Sequence, residues 1–332
     1  MSFIPSLLRR PTGVAVAAVL AVGLSACASS GGDNATQPSD AGSVSTAPGF
    51  PRTVLHDQGE TVIETKPRRV VALDNSLVEA VVALGGPLVG GIGSYRDQHG
   101  FPEYLGDAVA NTVDVGPLAT PDLEAIAALE PDLIVSASVR HEALYDELSA
   151  IAPTVFVETT GPIWKQNIHD LGVALGEEQA AEEALRAYET RAAALGKAIN
   201  EQAGNPTVSM VRFLDGPTRL YANRSFSGIV FADMGLTRPQ DQDVDDFSVE
   251  IGEEEIRKAD ADHIFVTVYT GGGEESNQRF QRNPLWGQLE GVKAGNVHEV
   301  EDAVWMTSVS LQGAALMMDD MAEIFGVDPM RS

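Results

Sequence analysis

Between Glu177 and Gln202 the apolar residues Ala181, Leu185, Tyr188, Ala192, Leu195 and Ile199 recur at steps of 4, 3, 4, 3 and 4. That spacing puts all six on one face of an α-helix. At 1.5 Å per residue the helix would reach about 39 Å, the width of a domain. The chain must then fold as two bodies flanking one stiff connector. Limited hinge motion is expected, unlike that of lobes joined by two or three extended crossings.

Both flanks carry the same kind of pattern. Short β-branched runs at Arg69–Leu73, Leu88–Ile92, Leu133–Ala137 and Thr154–Val157 alternate with helical patterns at Leu77–Leu84, Leu123–Leu129 and Glu142–Ala150. After the connector come strands at Thr207–Phe213, His263–Tyr269 and Val297–Val300 and a helix near Ser308–Phe325. Strand, helix, strand at this spacing implies parallel sheets covered by helices. The expected fold is α/β, with two lobes of mostly parallel sheet joined by one long α-helix and a ligand cleft between them. The boundaries follow: an N-terminal lobe over 53–176, the connecting helix over 177–203 and a C-terminal lobe over 204–332. One ungapped comparison supports duplication: Glu124, Ile126, Asp132 and Ile134 match Glu254, Ile256, Asp262 and Ile264. Two βα units could also look alike by necessity.

Composition narrows the function. Hydrophobic residues make up 44% of the 332, enough for a sizeable core. Acids outnumber bases 48 to 22, which argues against nucleic-acid partners and basic docking on membranes. The longest apolar run, Val14 to Leu24, is about half a membrane span. A single cysteine allows neither an internal disulfide nor a Cys-rich zinc site. Residues 1–26 have the anatomy of a secretory signal: Arg9 and Arg10, a short apolar middle, then Leu24-Ser25-Ala26 before Cys27. Leu-Ser-Ala-Cys also resembles the bacterial lipobox, which would put a lipid anchor on Cys27 at the outer face of the cytoplasmic membrane. A plain signal peptide with a chance cysteine is the alternative. Residues 27–52, rich in Gly, Ser, Ala, Thr and Pro and with no base before Arg52, read as a flexible stalk.

In open parallel sheets ligands bind at the carboxyl ends of strands. Those ends carry Arg96, Arg140, Trp164, Arg212, Tyr269 and Trp305, with Tyr221 and Arg224 in a hairpin-like return after Arg212. Guanidinium forks bind oxyanions through bidentate, charge-assisted hydrogen bonds of about 1.5–3 kcal/mol each, and aromatic rings add buried area. The set suits a bulky anionic ligand with apolar parts. For any one arginine, a surface ion pair is the plainer reading. Catalysis has little support, since no nucleophile elbow or phosphate loop is present and Arg96 breaks the dinucleotide-like Gly91-Ile92-Gly93 start. The histidines His56, His99, His141, His169, His263 and His298 show no metal-ligand spacing. No cofactor and no protein-bound metal are expected.

Several stretches resemble the iron-siderophore substrate-binding lipoproteins of ABC importers, the group with a single backbone helix between lobes. They are Glu64-Thr-Lys-Pro-Arg-Arg-Val-Val-Ala-Leu, Asp122-Leu-Glu-Ala-Ile-Ala-Ala-Leu-Glu-Pro-Asp-Leu-Ile-Val, Leu148-Ser-Ala-Ile-Ala-Pro-Thr-Val, and Ala259-Asp-Ala-Asp-His-Ile-Phe-Val. More particular to siderophore members are Gly235-Leu-Thr-Arg-Pro, within Ser225 to Pro239, and Val304-Trp-Met. The resemblance covers the whole mature body. It implies a ferric siderophore as ligand, its iron already wrapped, and an ABC permease dimer as partner of a monomer. It implies that Arg96, Arg140 and Arg212 meet the chelate oxygens while Trp164, Tyr221 and Trp305 line the cleft. Glu124 and Glu254 match the acids that relatives dock on the permease, although an acid in a first helical turn also suits the helix dipole. Gly252 replaces the usual hydroxyl residue there, so Glu253, Glu254 and Glu255 compete for the role. A haem or cobalamin carrier of the same fold, or a cell-envelope enzyme acting on the chelate, are the alternatives.

Overall fold

The computed structural model describes residues 49–93 and 99–331. The signal segment, Cys27, the stalk up to residue 48 and Arg96 lie outside the described residues.

The first lobe opens with a hairpin, β1 (Arg52–His56) and β2 (Gly59–Ile63), in a region where the sequence pattern suggested no strand. Then come β3 (Val70–Ala72), α1 (Asn75–Ala83), β4 (Leu88–Gly91), a 3-10 segment Glu103–Val109, β5 (Val113–Asp114), α2 (Leu123–Ala128) and β6 (Leu133–Ala137). The lobe ends with α3 (Ser138–His141), α4 (Tyr145–Ser149), β7 (Thr154–Val157) and α5 (Trp164–Leu175). Its sheet has the order β5-β4-β3-β6-β7, parallel throughout. β3, β6 and β7 are buried along their whole length, as strands covered on both faces must be. The helix expected over Glu142–Ala150 is broken into a 3-10 turn, Glu142–Leu144, followed by α4.

The connector is α6 (Glu178–Ala203), a single helix of 26 residues that ends at Gly204 in a left-handed conformation. Five of the six stripe residues are buried, and Leu185 is partly so. Beyond it lie β8 (Val208–Phe213), β9 (Thr218–Tyr221), α7 (Phe226–Asp233), β10 (Ser248–Ile251), a 3-10 segment Glu253–Ala259 and β11 (His263–Val268). α8 (Gly273–Arg282), α9 (Glu290–Ala294), β12 (Val297–Glu299) and α10 (Leu311–Phe325) complete the chain. The second sheet, β10-β9-β8-β11-β12, is mixed: β8, β11 and β12 run parallel, while β9 is antiparallel to both its neighbours, β8 and β10. The short link after β8 permits only a hairpin, because a parallel return needs a crossover of a dozen residues or more.

One apolar core spans both lobes. Leu77 and Val81 of α1, Ile168 and Leu171 of α5, Leu195 of α6, Phe231 of α7 and Met317 of α10 belong to the same buried cluster. Phe50 and Arg52, within the stretch read as stalk, pack on the first lobe and the start of α6. Phe50 is buried beside Gly176, and Arg52 pairs with Glu178 at 2.6 Å. Phe50, the one bulky side chain near the end of the stalk, thus has a docking place. Among the described residues no helix is long and apolar enough to cross a membrane.

Candidate ligand-binding cleft

A cavity of about 490 Å³ opens where the strand ends of the two sheets face each other. The first lobe supplies Asp74 and Asn75 after β3, Arg140 after β6, and residues 159–162 after β7. The second supplies Arg212 from β8, Arg219 and Tyr221 from β9, Arg224, Asp246, Phe247 and the turn Trp305–Thr307.

The local sequence explains how these side chains are held. Asp74 caps α1, accepting from Ser76 N at 2.9 Å, and its other oxygen accepts from Arg140 Nε at 3.0 Å. Asp74 is itself buried, so Arg140 is anchored at its Nε while its Nη groups make no hydrogen bond among the described residues. Arg212 is gripped more fully. Its Nε and Nη2 donate to the two oxygens of Asp302 at 2.7 and 2.6 Å, and its Nη1 donates to Tyr221 OH at 3.1 Å. Burial pulls the Arg212 pKa down, but Tyr221 and Asp302 more than offset it and leave it above the ordinary value. Arg219 pairs with Glu250 at 3.0 Å across β9 and β10. Arg224 is exposed and makes no ion pair among the described residues.

Five of the expected site residues are thereby joined by a guanidinium that the sequence reading did not select. Arg140, Arg212, Tyr221 and Arg224 line the cavity with Trp305, and Arg219 adds a fourth arginine. Strand alternation could have found it, since residues 219 and 221 share a face of β9. Arg96 lies outside the described residues. Trp164 and Tyr269 do not line the cavity. Trp164 is buried one layer behind it, edge-on to Tyr188 at 5.1 Å and to Phe226 at 5.6 Å. An indole at the start of α5, facing α6, buries more apolar surface in the core than in an open cleft. Tyr269 instead flanks the Arg212 guanidinium, 5.7 Å from its ring centroid. Trp305 forms part of the floor but is fully buried, stacked on Phe265 at 5.0 Å with its Nε1 donating to Asp320 at 2.8 Å.

The accessible ring is Phe247, 43% exposed and edge-on to Tyr221 at 5.3 Å. Its loop is secured at both ends. In front, Ala222 N donates to Phe247 O at 3.0 Å and Arg224 N to Asp246 O at 2.9 Å. Behind it, buried Arg238 donates to Val208 O, Tyr221 O and Gln242 Oε1 at 2.9, 2.6 and 2.7 Å. Burial lowers the Arg238 pKa to about 10. The Gly-Leu-Thr-Arg-Pro segment is thus a structural brace for the cleft wall and no part of its surface.

A cleft with several fixed guanidinium groups and one open ring recognises oxyanions by geometry and charge. Histidines that could have suggested metal chemistry are occupied elsewhere. His141 is buried between Ser136 Oγ and Leu118 O, and His263 hydrogen-bonds His298 at 3.0 Å. Among the described residues no group of three or more His, Cys, Asp or Glu side chains could hold a metal ion.

Comparison with known proteins agrees with this architecture. Residues 70–304 match the family model of the periplasmic binding proteins. The chain is 36% identical over 287 residues to the probable siderophore-binding lipoprotein YfiY of Bacillus subtilis (strain 168), covering 82% of this chain and 87% of that one. It is 30% identical over 272 residues to the achromobactin-binding periplasmic protein of Dickeya dadantii (strain 3937), covering 79% and 87%. The crystal structure of Staphylococcus aureus SirA complexed with staphyloferrin B superposes with a TM-score of 0.77 at 30% identity, over 84% of this chain and 100% of that one. With the two lobes, single connecting helix and interlobe cleft in place, the chain belongs to the periplasmic binding protein family.

Proposed function

We propose that this protein captures a ferric siderophore whose periphery carries oxyanion groups and delivers it to an ABC importer. The observation that carries the reading is the convergence of Arg140, Arg212, Arg219 and Arg224 from both lobes on one cavity. The kinship with siderophore-binding proteins supports it. Capture and release need no bond breaking, which is consistent with a carrier. A lipid on Cys27 would hold the carrier at the membrane, where a tether raises its effective concentration near the permease.

Permease docking is assigned to Glu124 and Glu254. Glu255 accepts from Gly252 N at 3.2 Å and from Lys258 Nζ at 2.7 Å, and Glu253 lies 3.5 Å from Arg279. Glu254 is exposed with no hydrogen bond or ion pair among the described residues, which favours it of the three. Glu124 is likewise exposed, at the start of α2 where Asp122 provides the cap.

Tryptophan emission is the readout of choice. A panel of ferric hydroxycarboxylate, hydroxamate and catecholate chelates, with free ferric ion, haemin and cobalamin, is titrated into the protein. Saturable quenching by at least one chelate, and none by free iron, is expected. Silence across all the chelates sinks the reading, and a Soret shift with haemin transfers it to a haem carrier.

A further inference from the structure

Glu79 sits in the middle of α1 and is 1% exposed, yet among the described residues no basic side chain pairs with it. Hydroxyls hold it instead. Tyr104 OH donates to Oε1 at 2.8 Å, Ser308 Oγ donates to Oε2 at 2.6 Å, and Ser310 Oγ donates to the same Oε2. Tyr104 belongs to the first lobe, but Ser308 and Ser310 belong to the turn that leads into α10 in the second. Two more bonds run beside them: Gln312 Nε2 to Glu79 O at 2.8 Å, and Asn75 Nδ2 to Thr307 O at 2.6 Å. That same turn carries Asp302, which grips Arg212, and the cavity-lining residues Trp305 to Thr307.

We propose that Glu79 is a positioning residue of the ligand cleft: as a carboxylate it clamps the 301–310 turn against α1 and so sets where Asp302, Arg212 and the cleft floor meet the ligand. The proposal rests on the ligand-binding reading above and deepens it. A carboxylate is acceptor-only, matching three hydroxyls that all donate to it. A carboxylic acid must donate from one oxygen, so protonation forces one hydroxyl to turn away. Burial raises the pKa of Glu79 to about 6, against the pull of Ser308, Ser310 and Tyr104 and with a further push from Asp74. The groups facing it are Asp74 at the cap of its own helix, held by Arg140, and Tyr104, which in turn faces Glu301. From α10 the contact is the neutral Gln312.

The test compares the full wild-type chain with Glu79→Gln, using the ferric chelate from the panel that binds the wild type. At about pH 7.5, above the Glu79 pKa, the variant is expected to bind about tenfold more weakly, the loss of one charged-acceptor hydrogen bond. Its melting temperature is expected to be equal or higher, because an unpaired buried charge is gone. Near pH 5 the two affinities should converge. Equal affinities at the higher pH, or an affinity loss matched by a drop in melting temperature, overturn the proposal. A ligand-free arm separates it from the functional reading. Amide exchange across residues 301–310 should be faster in Glu79→Gln than in the wild type at the higher pH, and unchanged exchange overturns the clamp. If no chelate binds the wild type, the functional reading fails and the exchange arm alone decides. Ser308→Ala, which keeps the carboxylate and the Ser310 cap of α10 and removes one donor, should fall between the two in both assays.

Discussion

Arg212 has three of its donor nitrogens occupied inside the protein, so its role is preorganised. Replacing it with alanine leaves Asp302, itself largely buried, without its partner, at a cost of about 3–5 kcal/mol. Denaturant unfolding should show that loss in Arg212→Ala and recovery of most of it in the Arg212→Ala, Asp302→Ala double variant. Neither should bind ligand, and a double variant that binds as the wild type does removes Arg212 from the site. Phe247 behaves differently because it is partly exposed and its ring contact is with Tyr221. A Cβ placed on Gly161 in the opposite lobe would lie 3.8 Å from it, so it stands close to the far wall of the cleft. Phe247→Ala should change stability by about 1 kcal/mol or less while weakening ligand binding severalfold by calorimetry. Unaltered affinity would make Phe247 a bystander. That these arginines exist is plain from the sequence; that Asp74, Asp302 and Glu250 already hold three of them is decided by contacts between segments 31 to 90 positions apart.

The connecting helix shows how an element can be foreseen while its tightest contact stays hidden. Periodicity alone sets α6 and the buried face it presents. Gly196 lies on that face, and a Cβ there would stand 1.6 Å from Met234 O, at the end of α7. Helix propensity would favour alanine by about 1 kcal/mol, but backbone oxygen cannot yield as a side chain can. Gly196→Ala should therefore destabilise the fold by about 3 kcal/mol, read from urea unfolding. Gly204→Ala, which strains only the left-handed cap with open space around it, should cost about 1 kcal/mol. A neutral Gly196→Ala would mean that α6 and α7 are not in close contact. The β8–β9 hairpin is a second case. A short link makes it, and the mixed sheet that it creates, predictable, whereas the addition of β10 at the edge is settled by pairing over a longer distance.

For the whole molecule, the buried Glu79 links stability to pH with a definite sign. Its folded pKa, about 6, lies above the ordinary 4.5, so the native state takes up the proton first. Stability from this group therefore rises as pH falls through that window, by up to about 2 kcal/mol. Glu79→Gln removes the effect, so its stability advantage over the wild type should shrink as pH falls from about 7 to about 4.5 in chemical denaturation. A constant advantage would show that Glu79 titrates normally. Asp262 and Asp319, held low by Thr207 and by Arg331 and Arg191 against burial, lose their contribution in acid in both proteins and cancel in the difference.

Local pattern sufficed for most elements built from neighbours within a turn or two, though it missed the β1–β2 hairpin and the break ahead of α4. The 3-4 stripe of α6 and the β-branched strands follow from short-range geometry, and with them the two-lobed layout and the strand ends that bear arginine. Folding in three dimensions decided the rest. Trp164 and Trp305 could equally have faced a ligand or the core, and only the packing of α5 on α6 and α7, and of the 301–310 turn on α7, β11 and α10, buried them. Glu79 meets Ser308 across 229 positions, a pairing that no periodicity encodes. Hydrogen bonds and ion pairs act over about 3 Å, so their partners are settled when the chain brings distant segments together, and not before.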